Sequence, residues 1–443
     1  MASENKVSRR GFLKTTGMAV VGGGMIPDGA AGGAGRGEDT QEISVREYRT
    51  LGRTGFQVSD ISFGTGNLTN SNVLAVALDM GMNYIDTAEH YVNGQAERTV
   101  GEVIKDRDRS SIFLTTKLNL SLGGSTKEAL LDRFRRCLER MRTDYADCLM
   151  IHMTPRAEEV KHEPYHDAIA ELKAEGKVRF TGLSNHGIQH SMFGRIEDPM
   201  ENVIGAAVED GRFDVALFVY NFLQKEQGER IIDMCRTKNM GVTLMKTDPV
   251  GIGAILTDRM EQQRRSGRRI SEAQERIVRE YEAWVEAADE FKARHGLQSN
   301  TQVRDAATKF CLDNPGVHAV CPTINTFDAL EAFVSLSGQR LASTEDSMLA
   351  SYDELLGRYY CRHACGICEP TCPRNVPVNT IMRYGHYFDA QGREKQAMQK
   401  YAALAGANAE GCRDCSGPCE PACPYRVPVR SLLARAHERL TLA

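Results

Sequence analysis

The sequence predicts an α/β protein, a closed (β/α)8 TIM barrel followed by a small α-helical domain. Three observations predict it: short apolar runs alternate with amphipathic stretches between residues 45 and 333, polar residues recur at the ends of those runs, and a cysteine-rich segment with a repeated phrase closes the chain. A length of 443 residues with 41% hydrophobic content suffices for one large domain and one small one. The net charge of −4 gives no electrostatic case for nucleic acid.

After a Gly- and Ala-rich leader to about residue 40, the predicted strands are 60–63, 84–86, 112–117, 148–152, 180–184, 215–220, 242–246 and 319–321. Eight strands alternating with helices close into a barrel. A long insertion between Lys246 and Thr301 follows the seventh strand, on the rim where substrate loops belong. Within it, Ser271-Glu-Ala-Gln274 reads as a helix-capping box, and Ile277, Tyr281, Trp284, Ala288 and Phe291 recur at helical spacing, so a helix packs there with its charged face outward. The glycine-rich loop 248–253 is placed to shape substrate choice. Beyond Ser343 a helical stretch runs to Tyr360, and residues 378–405 read as helices between two cysteine sets. The expected division is a leader at 1–40, a barrel at 46–340 and a small domain at 345–443.

Polar residues stand at the carboxyl ends of six predicted strands: Asp86, Lys117, His152, Ser184, Tyr220 and Lys246. In a barrel of this type chemistry sits on that edge. Taken singly, Asp86 reads as a helix cap, Lys117 as a solvated strand end and His152 as a core imidazole. Their coincidence on one rim favours a site.

Residues 46–335 resemble the aldo-keto reductase family, motif by motif. The matching phrases are Tyr48-Arg-Thr-Leu-Gly-Arg-Thr-Gly55, Asn83-Tyr-Ile-Asp-Thr-Ala-Glu-His-Tyr91 with Gly94, Glu97 and Gly101, then Thr115-Thr-Lys117, Asp147-Cys-Leu-Met-Ile-His152, Gly182-Leu-Ser-Asn185 and Tyr220-Asn221. The resemblance implies four catalytic positions, Asp86, Tyr91, Lys117 and His152, and a bound NADP or NAD whose carboxamide is held by Ser184 and Asn185. Lys246, Thr323 and Asn325 are its implied contacts toward the adenosine phosphate. The substrate implied is a small carbonyl compound or alcohol. A free phenol, with a pKa of about 10, is a poor acid at neutral pH. Lys117 is therefore expected to lower the pKa of Tyr91, Asp86 to hold Lys117, and His152 to orient the substrate oxygen.

Departures from the family stand beside the matches. Leu217 occupies the position of a carboxamide-binding glutamine, and Leu244-Met-Lys-Thr-Asp-Pro249 has no ring to stack on a nicotinamide. The run after the last strand, from Pro322 to Glu331, lacks the usual Pro-Gly opening; Ala329, Ala332 and Phe333 stand where relatives carry polar groups that pair with phosphate.

An eleven-residue phrase occurs twice, as Cys368-Glu-Pro-Thr-Cys372-Pro-Arg-Asn-Val-Pro-Val378 and Cys419-Glu-Pro-Ala-Cys423-Pro-Tyr-Arg-Val-Pro-Val429, with Cys361 and Cys365 before the first copy and Cys412 and Cys415 before the second. Four thiolates at such spacing, ending in Cys-Pro, suit a 4Fe-4S cluster, because short loops let several sulfurs converge on one inorganic core. Zinc also accepts four thiolates, although ribbon sites pair two Cys-x2-Cys knuckles across a longer gap. Disulfides suit an exported chain, although cysteines this close are poorly placed to bridge within one set. The segment resembles two-cluster ferredoxins of the helical type. That resemblance implies a crossed pairing, with Cys361, Cys365, Cys368 and Cys423 on one cluster and Cys412, Cys415, Cys419 and Cys372 on the other.

Ser8-Arg-Arg-Gly-Phe-Leu-Lys14 and the uncharged stretch behind it look like a twin-arginine export signal. The segment is short of the roughly 20 apolar residues of a membrane span, so it reads as removable and not as an anchor. A periplasmic or otherwise exported destination follows, by a route that carries folded, cofactor-loaded proteins. Three functions are consistent with these features: an exported oxidoreductase whose clusters relay electrons to a redox partner or brace the structure, an electron-transfer subunit with a scaffold barrel, and a metal-stapled structural protein.

Overall fold

The computed structural model describes residues 43–191, 194–249, 272–404 and 406–441. The expected export signal and leader lie outside those residues, as do the expected cap at Ser271 and the loop beyond Pro249.

An antiparallel hairpin, Tyr48–Thr50 with Gln57–Ser59, precedes the barrel. The order is then β1 (Phe63–Gly64), α1 (Ser71–Asp79), β2 (Tyr84–Asp86), α2 (Gln95–Ile104), β3 (Phe113–Leu118), α3 (Lys127–Met141), β4 (Ala146–Ile151), α4 (Glu163–Ala174), β5 (Val178–Asn185), α5 (Met200–Asp210), β6 (Val215–Val219), α6 (Lys225–Thr237) and β7 (Gly241–Met245). There follow α7 (Glu272–His295), α8 (Thr301–Asp313), β8 (Ala319–Val320), α9 (Phe327–Val334), α10 (Ser343–Leu356), α11 (Val378–Asp389), α12 (Glu394–Ala402) and α13 (Val429–Leu440).

The eight strands pair in sequence order, each parallel to the next. Parallel bridges Ile61↔Val320 and Gly64↔Thr323 join the first and last strands and close the ring. The expected first strand, 60–63, overlaps this edge: pairing with β2 begins at Phe63, while Ile61 already pairs with Val320 of the last strand, and the Asp60 carboxylate accepts from Ser337 Oγ (2.6 Å) and the Gly338 amide (2.8 Å).

Local chemistry explains the alternation. The Val-Ala-Leu-Phe-Val run of β6 is buried at every position, as a strand covered on both faces must be. On α3, Leu130, Phe134, Leu138 and Met141 recur every three or four residues and are buried, while Thr126 Oγ1 accepts the Ala129 amide (3.3 Å) as its N-cap. Each fully enclosed ring, such as Phe113, Phe134, Phe213 or Phe218, contributes about 1.5–3 kcal/mol by leaving water.

A second apolar cluster joins Trp284, Ala288 and Phe291 of α7 to α8 and to Met348, Leu349, Tyr352 and Leu356 of α10, so the helix expected in the insertion packs inward. A third is built on the cysteine segment, with Val376, Ile381, Val427 and Leu433. Its two copies fold alike. Glu369 Oε1 accepts the Asn379 amide at the start of α11, Glu420 Oε1 accepts the Arg430 amide at the start of α13, each at 3.0 Å, and Asn375 and Arg426 take the same left-handed turn at φ 51° and 53°. A repeated sequence thus produces a repeated capped helix. Among the described residues no helix is long and apolar enough to cross a membrane.

Candidate active site and cysteine sets

Parallel register brings the carboxyl ends of β2, β3 and β4 together. Asp86 closes β2, Lys117 sits near the end of β3, and His152 follows β4 directly. Lys117 Nζ donates to Asp86 Oδ1 (2.5 Å) and to the Thr87 carbonyl (2.7 Å), and all three residues are buried. The same ammonium lies 5.1 Å from the centroid of the Tyr91 ring and within electrostatic reach of its phenol. His152 packs edge-on to Tyr91, with ring centroids 5.6 Å apart. All four predicted catalytic side chains therefore meet in one place.

Tyr91 is held by a backbone few sequences adopt. The three residues after it, Val92, Asn93 and Gly94, have φ of 50°, 56° and 80°. A valine in the left-handed region is an outlier, and such strain concentrates where a side chain must be aimed. Met153 (φ 57°), after His152, and Lys246 (φ 57°), after β7, share this conformation on the same rim.

The electrostatics correct one expectation. Tyr91 is not an acidic phenol: burial pushes its pKa up to about 12, and the opposing pull of Lys117 is offset further by Asp86. Charge alone, as read from the sequence, predicted the opposite sign because it left desolvation out. For Lys117, burial works against the ammonium, yet Asp86 and then Tyr91 hold its pKa above the ordinary lysine value. Burial, with neighbouring His90 and Lys117, holds His152 well below the usual histidine range, so it is a neutral imidazole. His90 stacks on it at 4.7 Å and falls to about 4, again chiefly through burial.

The phenol that does become acidic was not singled out from the sequence. Tyr387 of α11 bonds Lys246 Nζ through its hydroxyl (3.2 Å), and although burial raises it, Lys246 and Arg383 bring it down to about 8. Lys246, expected to face a nucleotide phosphate, is thus engaged by the cysteine segment. Its own pKa is lowered, first by burial. Tyr387 thus brings a ring to the end of β7 from 141 residues further on.

Ser184 and Asn185 lie buried at the end of β5, where Ser184 Oγ accepts the Met153 amide (3.0 Å) and Asn185 Nδ2 donates to the Thr154 carbonyl (2.7 Å). Thr323 is half-buried beside Gly64, and Asn325 is exposed. Leu217 is buried inside the barrel. Phe333, which stands where relatives of the resembled family carry a polar group, has the Arg304 guanidinium 5.5 Å above its ring. Arg304 brings a cation to that edge from α8, a placement that no local motif announces.

None of the cysteines forms a disulfide. Among the described residues no group of three or more His, Cys, Asp or Glu side chains is set to hold a metal ion. One small cavity is nonetheless lined by Cys412, Cys415, Cys419 and Cys372, three thiols of the second set with the last of the first. On the other side Cys361 lies within electrostatic reach of Cys365 and Cys368, and Cys368 within reach of Cys365, Cys419 and Cys423. The two findings differ in scale. A single ion draws its ligands close together, whereas a cluster takes each thiolate on a different iron and tolerates wider spacing.

A family model described as the aldo/keto reductase family matches residues 60–354, about two thirds of the chain. The chain belongs to that family. This aldo/keto reductase is 25% identical over 323 residues to aldo-keto reductase YhdN of Bacillus subtilis, covering 68% of this chain and 91% of that protein. It is 29% identical over 192 residues to methylglyoxal reductase DkgB of Salmonella typhimurium, covering 42% of this chain and 64% of that one. Among solved structures, aldo-keto reductase AKR11C1 from Bacillus halodurans superposes with a TM-score of 0.51 at 21% identity, covering 69% of this chain and 95% of that one. That likeness concerns the fold of the reductase barrel. The enzyme is an oxidoreductase of aldo/keto reductase type.

Proposed function

We propose that this reductase is exported by the twin-arginine route, carries two 4Fe-4S clusters in a ferredoxin-like segment, and interconverts a small carbonyl compound and its alcohol with NADP or NAD. The observation that carries the catalytic part is the convergence of Asp86, Lys117, Tyr91 and His152 at one barrel mouth.

The chain's own residues have separable tasks. Neutral His152 donates a hydrogen bond to the substrate oxygen and fixes the carbonyl plane. Tyr91, protonated at neutral pH, gives its proton to that oxygen in reduction and receives one in alcohol oxidation. Lys117 stabilises the phenolate that the transfer leaves behind, and Asp86 keeps Lys117 charged and in place. A bound nicotinamide supplies the hydride. Ser184 and Asn185 would hold its carboxamide, and Lys246, Thr323 and Asn325 its phosphate side.

In the cysteine segment, Cys361, Cys365, Cys368 and Cys423 would hold one cluster and Cys412, Cys415, Cys419 and Cys372 the other. Such clusters exchange single electrons, which suits relay to a redox partner, and they also brace a segment of under a hundred residues. The cavity lined by four thiols from both copies of the repeat supports the crossed pairing.

The deciding experiment uses protein purified without oxygen from its native host, with analysis of co-purifying small molecules. A retained dinucleotide, together with turnover of an aldehyde such as methylglyoxal that disappears in Tyr91→Phe, supports the reading; unchanged turnover in that variant removes the proposed acid.

A further inference from the structure

The loop that carries the first cysteines is fastened to the barrel rim. Gln224 clamps the backbone of His363 from both sides, its Oε1 accepting the His363 amide (3.0 Å) and its Nε2 donating to the His363 carbonyl (2.9 Å). Arg362 Nε bonds the Leu223 carbonyl (3.1 Å) beside it. Across the contact, Gly187 (φ 73°) lies against Ala364 and Gly366 (φ 58°) against Ile188, each so closely that an added methyl would stand 2.6–2.7 Å from the neighbouring side chain. Glycine is required at both, for the turn and for the approach.

This docking aims one side chain. His363 is 3% exposed, and among the described residues neither ring nitrogen has a hydrogen-bond partner. Buried polar atoms are rarely left so, and one that is held rigidly points to a missing partner. Its ring is not isolated. His363 lies 6.2 Å from His186, His186 lies 6.5 Å from His152, and His152 lies 5.6 Å from Tyr91, centroid to centroid. Successive ring contacts therefore run from Tyr91 through three imidazoles to the cysteine segment.

We infer that His186 and His363 are substrate-binding residues, so that the cysteine segment completes the active site and selects hydroxylated carbonyl compounds, polyhydroxy aldehydes or ketones and the matching polyols. In a neutral imidazole one nitrogen donates and the other accepts. A hydroxyl does both and satisfies either nitrogen, whereas a carboxylate only accepts and a hydrocarbon does neither. A substrate chain whose carbonyl lies at His152 and Tyr91 would carry its hydroxyls past His186 toward His363. The inference rests on the carbonyl–alcohol reading above.

Two aldehydes of equal chain length test it: D-erythrose, with three hydroxyls, and butanal, with none. The holoprotein is expected to prefer D-erythrose in kcat/KM. In His363→Leu and His186→Leu that preference falls about tenfold, mainly through KM, with butanal changed less than about twofold, and His363→Gln recovers most of the loss. Equal losses on both aldehydes, no preference in the parent protein, or a change confined to the electron-spin signal of the clusters would overturn it. If neither aldehyde is turned over, calorimetric titration with D-erythrose decides: weaker binding in His363→Leu sustains the inference while the reductase reading fails, and equal or undetectable binding in both proteins overturns it.

Discussion

Lys117 Nζ and Asp86 Oδ1 stand 2.5 Å apart on adjacent strands, with side-chain exposures of 0% and 5%. A charge pair so enclosed is sensitive to the loss of either member. Lys117→Met strands a carboxylate in the barrel and is expected to cost about 3–5 kcal/mol in chemical denaturation. The double variant Asp86→Asn with Lys117→Met should recover part of that stability and none of the activity. Additive losses would show that the two side chains do not depend on each other.

On the proposed mechanism, Tyr91 sets the pH response of catalysis. With its pKa raised to about 12, the proton donor stays loaded across the neutral range, so reduction should show no loss attributable to Tyr91 until strongly alkaline pH, while alcohol oxidation climbs with pH. The stability sign agrees: the folded value exceeds the unfolded value of about 10, so the folded state retains a proton the unfolded chain has lost, and stability falls as pH rises from about 10 toward 12. Tyr91→Phe should lower kcat by about 10²–10⁴ with little change in melting temperature. Steady-state pH profiles and calorimetry measure both.

Acid acts through the imidazoles. His152, His90 and His186 all have lowered pKa values in the fold, chiefly from burial, so below the ordinary histidine range the unfolded chain gains protons that the folded one refuses. Stability should decline as pH falls from about 7 to 5, with fully buried His152 contributing up to about 1.4 kcal/mol per pH unit. His152→Asn should flatten that decline in melting curves recorded across this range.

The proposed crossed pairing of two clusters predicts a shared phenotype. Cys372→Ser should abolish the cluster shared with Cys412, Cys415 and Cys419, leaving about half the iron and the spin signal of the other cluster. Cys412→Ser should give the same spectrum. Two different residual spectra would show that each set holds its own cluster.

Gln224 tests the docking of the two parts. Gln224→Leu leaves the His363 amide and carbonyl without their partners, a cost of about 1–3 kcal/mol for each such group. Limited proteolysis should then cut near residue 360 at a much lower protease concentration than in the parent protein.

The order of strands, the four positions that meet at the barrel mouth and the two cysteine sets were legible in the chain because each is a short-range pattern. A strand is a run of a few apolar residues, the Asn83-to-Tyr91 phrase places Asp86 and Tyr91 on one strand end and the loop after it, and a set of thiols spans about a dozen residues. Sequence also announced the repeat that folds into two equivalent capped helices. Tertiary structure decided what depends on distance and enclosure. Tyr91 is weakly acidic because desolvation, a property of the whole packed mouth, outweighs the one cation that sequence could name. Tyr387 reaches Lys246 across 141 positions, and His363 meets His186 only because Gln224 and two glycines bring a distant loop onto the rim. The cavity that Cys372 shares with Cys412, Cys415 and Cys419 likewise forms only on folding, since Cys372 is far from the other three along the chain. Local spacing states which groups a protein owns; burial and long-range contact, sums over the whole fold, determine how strongly each holds its proton and what it faces.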